Sequence, residues 1–332
     1  MNIPLKKTQS VKKSSSGDSQ EYFPIRILAE KTHVGTSTLR AWERRYGLLT
    51  PERTPKGHRL YSNSDIQRVF KILDLLKDGH SLPNIAELLS VEDLTRTENI
   101  QSRLNSSLSN GEPSLTTIWE NFLQKTLSAV SDFSTERIDA IYNEASSLYP
   151  IDMVTEQLIE PTLSMLGNEW QVQPKNGIAK EHFYSSWLKN RLGARFHHAY
   201  SQARGTRIIC ACAPGSYHEI GLMLFSLTAL ARGYRVLYFG SDLPLDQLEY
   251  VAQRSAAKAV VLSVQNTMAK NVNNDLPELI KQLKIPLFIG GNNPQFNADA
   301  FQTSGGILLG QQAGIAINIF ERRIPAFVKA ED

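Results

Sequence analysis

The alternation of apolar and polar residues changes period along the chain. Between residues 22 and 90 apolar positions recur at helical spacing in short blocks. Ile25, Ile27, Leu28 and Val34 mark a first short helix. Thr36 or Ser37 stands where a hydroxyl can satisfy an orphan N–H at the start of a second helix. That helix carries Leu39, Trp42 and Tyr46 on one i, i+3, i+7 face. Pro51 and the Pro55-Lys56-Gly57 run then predict a hairpin-like turn. A third helix opens at Ser62–Asp65 and runs through Ile66, Val69, Phe70, Leu73 and Leu76 until Gly79. Leu82 to Leu89 form a fourth.

Residues 91–113 are polar and read as a linker. Residues 114–204 predict four amphipathic helices, near 114–131, 134–148, 151–171 and 178–203, punctuated by Pro150, Pro161 and the loop Pro174-Lys175-Asn176-Gly177. Their short connections predict an antiparallel four-helix bundle. From residue 206 apolar runs at 207–213, 235–239, 258–264 and 286–289, with a weaker one at 306–309, alternate with helical patterns. Those patterns cover 218–232, 244–256, 274–284 and 310–321. Strand–helix alternation of this kind predicts a parallel sheet covered on both faces, with any ligand outside the carboxyl ends of the strands. The fold expected is multidomain, α and α/β. It comprises a disordered arm (1–21), a helical module (22–90), a linker (91–113), a four-helix bundle (114–204) and a Rossmann-like, flavodoxin-type parallel sheet (205–328).

Composition narrows the function classes. The chain has 332 residues, 41% hydrophobic and 21% charged, which is ordinary for globular domains. Its two cysteines, Cys210 and Cys212, exclude a disulfide framework and a Cys-rich zinc module, and read as buried strand residues. No apolar run approaches the ~20 residues a bilayer-spanning helix needs. The Lys- and Ser-rich N-terminus lacks the apolar segment of a secretory signal, so no membrane association and a cytoplasmic location are expected. Charge is uneven: residues 1–80 hold 15 basic and 8 acidic side chains, the remainder 21 and 25. A basic N-terminal fifth on a mildly acidic body points to a nucleic-acid-binding module joined to something else.

Arg40, Arg44, Arg45, Arg53, Lys56 and Arg59 lie within twenty residues, interleaved with Trp42, Tyr46, His58 and Tyr61. Arg40 and Arg44 are one helical turn apart, so they share a face while Leu39, Trp42 and Tyr46 can bury. Guanidinium groups suit both phosphates and guanine edges. The run Thr38-Leu39-Arg40-Ala41-Trp42-Glu43-Arg44-Arg45-Tyr46-Gly47-Leu48-Leu49, followed by Arg53, Gly57-His58-Arg59-Leu60-Tyr61 and Asp65-Ile66, resembles the MerR family of transcription regulators over about residues 23–90. The resemblance implies a winged helix–turn–helix with a recognition helix near 36–46 and a wing near 51–61. It implies DNA contacts from Thr38, Arg40, Arg44, Arg45 and Tyr46, and from Arg53, Lys56, His58, Arg59 and Tyr61. It further implies a double-stranded DNA operator read as two half-sites by a homo-oligomer, dimer or tetramer. The ligating cysteines of the metal-sensing branch are absent.

In the second half, Pro214-Gly215-Ser216-Tyr217-His218-Glu219-Ile220-Gly221 follows the first strand of the sheet. By itself, His218 there is an ordinary polar group at a helix start or a metal ligand. Its His-x-x-Gly pattern, Ser263-Val264-Gln265 after strand three and Gly290-Gly291 after strand four together resemble a cobalamin-binding domain. Trp170, with ten residues between it and Glu181-His182, resembles the preceding bundle of the MerR-type regulators that carry such a domain, the CarH/LitR-like photoreceptor group. That resemblance implies adenosylcobalamin, or another cobalamin, with His218 as lower axial ligand to cobalt. Ser263, Gly290 and Gly291 would line the nucleotide tail, Trp170 the upper face, and Glu181 and His182 the upper ligand. Ser216, Glu219 and Gly221 complete the expected cofactor set. Three positions depart from the pattern. Ser216 stands where the family has an acid, the Trp to Glu-His spacing is one residue longer, and Gln171 replaces the His that follows the Trp in some light-sensing members. His197-His198, whose side chains would diverge by about 100° on a helix, read as charge complements at a helix end, not a chelating pair.

These readings imply a DNA-binding regulator, a repressor, whose oligomeric state responds to cobalamin and in the photoreceptor case to light. A regulator acting through protein contacts without cobalamin, and a cobalamin-dependent enzyme component, are the alternatives. No nucleophile, acid–base pair or phosphate loop elsewhere favours the enzyme.

Overall fold

The computed structural model describes residues 21–94, 114–200, 203, 205–265 and 268–328. The expected basic arm, most of the expected linker and the side chains of His197 and His198 lie outside the described residues. The chain divides into two compact units: residues 1–125 with 139–150, and residues 126–138 with 151–332.

In the first unit, α1 (Ile25–Thr32) and α2 (Thr36–Ala41) are followed by a π turn over Trp42–Tyr46. A two-stranded antiparallel hairpin comes next, β1 (Glu52–Arg53) and β2 (Arg59–Leu60), then α3 (Asn63–Lys77) and α4 (Leu82–Leu94). Helix α2 is preceded by Gly35 and carries no side-chain cap bond, so neither Thr36 nor Ser37 serves as its cap. Helix α3 starts as its sequence predicts: Asp65 Oδ2 accepts from the Ser62 backbone N–H at 2.7 Å, satisfying a donor that the helix cannot reach. Leu28, Leu39, Trp42, Leu48, Ile66, Val69, Ile72 and Leu76 form the core, whereas Phe70 stays exposed. Helices α5 (Leu115–Ser131) and α6 (Thr135–Leu148) come next in the chain. Within this unit the Trp42 indole N–H donates to Leu148 O at 2.8 Å, and Tyr149 packs on Trp119 with ring centroids 4.6 Å apart.

The second unit continues with α7 (Ile151–Val154), a π turn at Thr155–Ile159, α8 (Glu160–Val172) and the long α9 (Pro174–Tyr200). The expected single helix over 151–171 is thus broken by the wider π turn. The expected loop at Pro174–Gly177 is instead the first turn of α9. Proline suits that position because its missing N–H is one the helix could not use and its φ is already helical.

The remainder alternates β3 (Arg207–Cys212), α10 (Ile220–Ala231), β4 (Arg235–Gly240), α11 (Gln247–Ser255), β5 (Ala259–Ser263), α12 (Val272–Gln282) and β6 (Leu287–Gly290). It ends with α13 (Ala298–Thr303), β7 (Ile307–Gly310) and α14 (Ala313–Val328). All pairings are parallel in the order β4-β3-β5-β6-β7, the flavodoxin-like arrangement whose strand order reverses beside the first strand. One face packs on α11, α12 and α13 through residues such as Ile209, Val260, Leu262, Leu248, Leu276 and Phe301. The other carries α10 and α14, with Phe320 at 4.8 Å from Phe288 and 5.7 Å from Phe225 between ring centroids. Helix α10 is apolar around its whole circumference and buried from Leu222 to Leu230, because it lies between the sheet, α9 and α14. The short polar helix α13 lacks the apolar period that marks the others; its signal is Asn297, whose Oδ1 accepts from the Ala300 N–H at 3.1 Å.

Candidate functional site

The candidate DNA interface lies on α2, the π turn and the hairpin. Leu39 and Trp42 bury, which leaves Arg40, Arg44 and Arg45 exposed and Tyr46 half-buried. Arg53, Lys56 and His58 are exposed on the hairpin, and Arg59 is half-buried. Thr38 and Tyr61 differ from the expectation. Both lie in the interior; Tyr61 is 0% exposed, bridges its backbone to Phe23 at 2.8 Å, and has its phenol pushed up to about 12 by burial. Their side chains help build the module and present nothing at its surface. Glu43, the acidic residue inside the basic run, was not among the expected site residues. Its carboxylate bonds Arg59 Nε at 2.6 Å and Arg53 Nη2 at 3.4 Å.

In the second unit the expected ligand residues of the sheet, Ser216, His218, Glu219, Gly221, Ser263, Gly290 and Gly291, lie at the carboxyl ends of the parallel strands. Gly221, Ser263, Gly290 and Gly291 line one groove of about 350 Å³, open to solvent, together with Gln265, Gln311 and Gln312. The four small residues come from α10 and the ends of β5 and β6, and only the strand order brings them together. The two glycines of greatest interest serve different ends. Gly291 has φ +118° and a Cβ there would lie 2.3 Å from Val264 O, so the backbone packing itself requires glycine. At Gly221 a Cβ would meet only Gln265 Nε2, at an ordinary 3.5 Å. The fold does not require a glycine at that position, and the space it leaves faces the groove.

His218 is exposed in the loop between β3 and α10, with Glu219 as the residue before the helix. The loop is held on three sides. Ser216 is buried, accepts from the Gln265 backbone N–H at 3.2 Å and donates to Gln265 O at 3.4 Å, tying the ends of β3 and β5 together. Asp242, after β4, accepts from Gly215 N–H at 2.8 Å and from the Tyr217 hydroxyl at 3.4 Å. Glu219 accepts from Tyr238 Oη at 2.8 Å and pairs with Lys189 Nζ of α9 at 3.2 Å. Burial and the Glu219 hydrogen bond raise the Tyr238 phenol far above its ordinary value, so it remains a donor. Asp242, Gln311 and Gln312 were missed from sequence; their signal is position, each following a strand at the edge where ligands bind.

Trp170 and Glu181 lie on the hairpin of α8 and α9. Gly177 lets the two backbones touch, since a Cβ there would sit 2.6 Å from Trp170 Cα, and Lys180 pairs with Glu169 at 2.6 Å. Trp170 is 38% exposed, His182 is exposed, and Glu181 accepts from Ser185 Oγ at 2.6 Å. Trp170 is therefore not a core residue. Eight residues of α9, about 12 Å of helix, separate Glu181 from Lys189, which pairs with the neighbour of His218. Among the described residues no cluster of three or more His, Cys, Asp or Glu could hold a metal ion, and no helix is long and apolar enough to cross a membrane.

A recognition helix with an exposed row of arginines, a basic wing behind it and a flavodoxin-like sheet define a class: a winged helix–turn–helix regulator with a second, ligand-type domain. Residues 23–92 match the MerR HTH family regulatory protein model. Residues 23–92 thus form a MerR-type DNA-binding module, and the chain is a DNA-binding regulator. It is 27% identical over 283 residues to the HTH-type transcriptional repressor CarH of Myxococcus xanthus, covering 82% of this chain and 90% of that protein. It is 25% identical over 240 residues to CarA of the same organism, covering 72% and 75%. Among solved structures, the Methanosarcina barkeri monomethylamine corrinoid protein aligns over 60% of this chain and 97% of its own, with TM-score 0.48 and 14% identity.

Proposed function

We propose that this regulator is a repressor whose C-terminal half binds a cobalamin and that the ligand sets its oligomeric state. The observation that carries the reading is the groove at the carboxyl ends of the strands. Its lining includes the three small residues expected at a nucleotide tail, Ser263, Gly290 and Gly291, together with Gly221, which the fold leaves with no steric reason of its own. The residues fit the group. His218 is an exposed imidazole at the strand–helix junction and would donate to the cobalt of a bound cobalamin. Ser263, Gly290 and Gly291 would hold the nucleotide tail, and Trp170, Glu181 and His182 would hold the ligand from α8 and α9. Ser216 and Glu219 keep the His218 loop in place through Gln265, Tyr238 and Lys189. Adenosylcobalamin in this site would supply a light-labile cobalt–carbon bond. Several basic modules held in one assembly bind adjacent half-sites far more tightly than one module does, so control of assembly is control of repression. The segments 22–90, 114–204 and 205–328 are the DNA-binding, capping and cobalamin-binding parts, and the cytoplasm is the compartment that suits them. Arg40, Arg44, Arg45, Tyr46, Arg53, Lys56, His58 and Arg59 form the DNA surface, with Thr38 and Tyr61 supporting it from inside.

The test is a visible spectrum. The purified chain is mixed in the dark with adenosylcobalamin, desalted, and recorded before and after illumination, beside His218→Ala. Retained colour with the ligand's own base displaced, lost in His218→Ala, is the expected result. Equal retention by the variant refutes axial ligation. A colourless wild-type protein supports a second reading, a regulator acting through protein contacts alone. One observation favours that reading: the Ser216 hydroxyl is bound to the Gln265 main chain and supplies no carboxylate to polarise His218.

A further inference from the structure

The wing is too small to hold itself. Its strands have two residues each, and a two-stranded hairpin is marginal in water even when longer. Its register also places Arg53 directly opposite Arg59, and like charges facing across a ladder repel. The only carboxylate bonded to either arginine among the described contacts comes from the π turn that ends the recognition helix. Glu43 Oε2 bonds Arg59 Nε at 2.6 Å and Glu43 Oε1 bonds Arg53 Nη2 at 3.4 Å. The Glu43 side chain is 14% exposed, against 34% for Arg59 and 55% for Arg53. The two contacts are therefore unequal. A long, exposed pair is worth little, whereas a short, half-buried and charge-assisted one fixes geometry. The Arg59 bond uses Nε, and among the described contacts neither terminal nitrogen of that guanidinium is engaged.

We propose that Glu43 is a positioning residue for DNA recognition: it locks the wing arginines, Arg59 above all, to the recognition helix so that helix and wing meet the duplex as one surface. A second contact holds the same hairpin: the Tyr22 hydroxyl donates to Glu52 at 2.6 Å. The logic runs against simple charge counting. A carboxylate inside a DNA-binding face repels phosphate, so its removal would raise affinity if it did nothing else.

The experiment uses the full chain and a duplex enriched from a random pool by the wild-type protein. Affinity is measured across a salt series for wild type, Glu43→Gln, Arg59→Ala and the double variant. Circular dichroism reports the fold of each. Glu43→Gln keeps the shape and removes the charge. We expect it to weaken binding about tenfold and to lower the slope of log affinity against log salt by about one phosphate contact. The same substitution made in Arg59→Ala is expected to change little further. Equal or tighter binding by Glu43→Gln overturns the proposal. So does an undiminished loss in the Arg59→Ala background, which would mean that Glu43 acts independently of that arginine. If Glu43→Gln does not fold, Glu43→Asp, which retracts the carboxylate by one methylene, gives the same contrast.

Discussion

Gly221 offers a clean separation of ligand binding from folding. It sits in the first turn of α10, where it is helical and lines the groove. An added Cβ would touch only the flexible end of Gln265, at 3.5 Å. Glycine in a helix costs roughly 0.5–1 kcal/mol relative to alanine through backbone entropy. Gly221→Ala should therefore leave the protein as stable or raise its melting temperature by about 2–4 °C per kcal/mol gained. The methyl group would at the same time occupy ligand space. Overpacking of a fitted site costs about 1–3 kcal/mol, which is about 5- to 150-fold in affinity for cobalamin. Gly221→Leu should abolish retention after desalting. Gly291→Ala is the contrast: with a Cβ 2.3 Å from Val264 O and φ +118°, it should lower the melting temperature as well. The assays are thermal unfolding by circular dichroism and spectral titration with adenosylcobalamin. Undiminished cobalamin affinity in Gly221→Leu would show that the groove is not where the ligand lies. Marked destabilisation of Gly221→Ala would show that the space is needed by the fold.

Three further outcomes follow from local chemistry. Trp42→Phe removes the 2.8 Å bond to Leu148 O and opens a cavity around a side chain that is 0% exposed; a loss of about 2–4 kcal/mol in urea unfolding is expected, and under ~0.5 kcal/mol would mean that bond is not formed. Burial raises the Glu160 carboxyl above its ordinary value, against the opposing pull of the Ala313 N–H bond at 3.1 Å, and Glu156 adds to the rise. The folded state thus holds that proton more tightly than the unfolded chain, so its contribution is complete below about pH 4 and is lost as pH rises through the folded value. Glu160→Gln, which can still accept from Ala313, should match wild type in acid and gain on it towards pH 7 in denaturant titrations; the opposite trend would refute the assignment. Burial pushes the thiols of Cys210 and Cys212 up to about 12, so a thiol reagent at pH 8 should label neither until the protein is unfolded.

Much of this protein is legible in its residue order. The helical period at Leu39 and Trp42 fixes which side of the recognition helix buries, and so which side leaves Arg40, Arg44 and Arg45 in solvent. Near-continuous apolar runs identify the strands of a sheet covered on both faces, because only such strands bury both of their sides. Small residues after those runs mark the edge at which ligands bind. Local signals also explain the errors. Pro174 reads equally as a loop breaker or a first helical residue, and the neighbours that decide it are in α8, where Gly177 meets Trp170. The π turn at Thr155–Ile159 leaves no mark in an apolar period that suits either helix type.

What the tertiary structure alone decided is which residues meet. Periodicity says which face of an element is apolar, not what covers it. Trp42 finds Leu148 across 106 positions, and Ser216 finds the Gln265 main chain across 49. The burial of Thr38 and Tyr61, the gathering of Gly221, Ser263 and Gly290 around one groove, and the clamp of Glu43 on opposed arginines are all of this kind. Each depends on strand order or on a turn bringing distant backbone into hydrogen-bonding range. The free energy that selects such contacts belongs to the packed whole, because ordering either partner by itself costs entropy that only the completed contact returns.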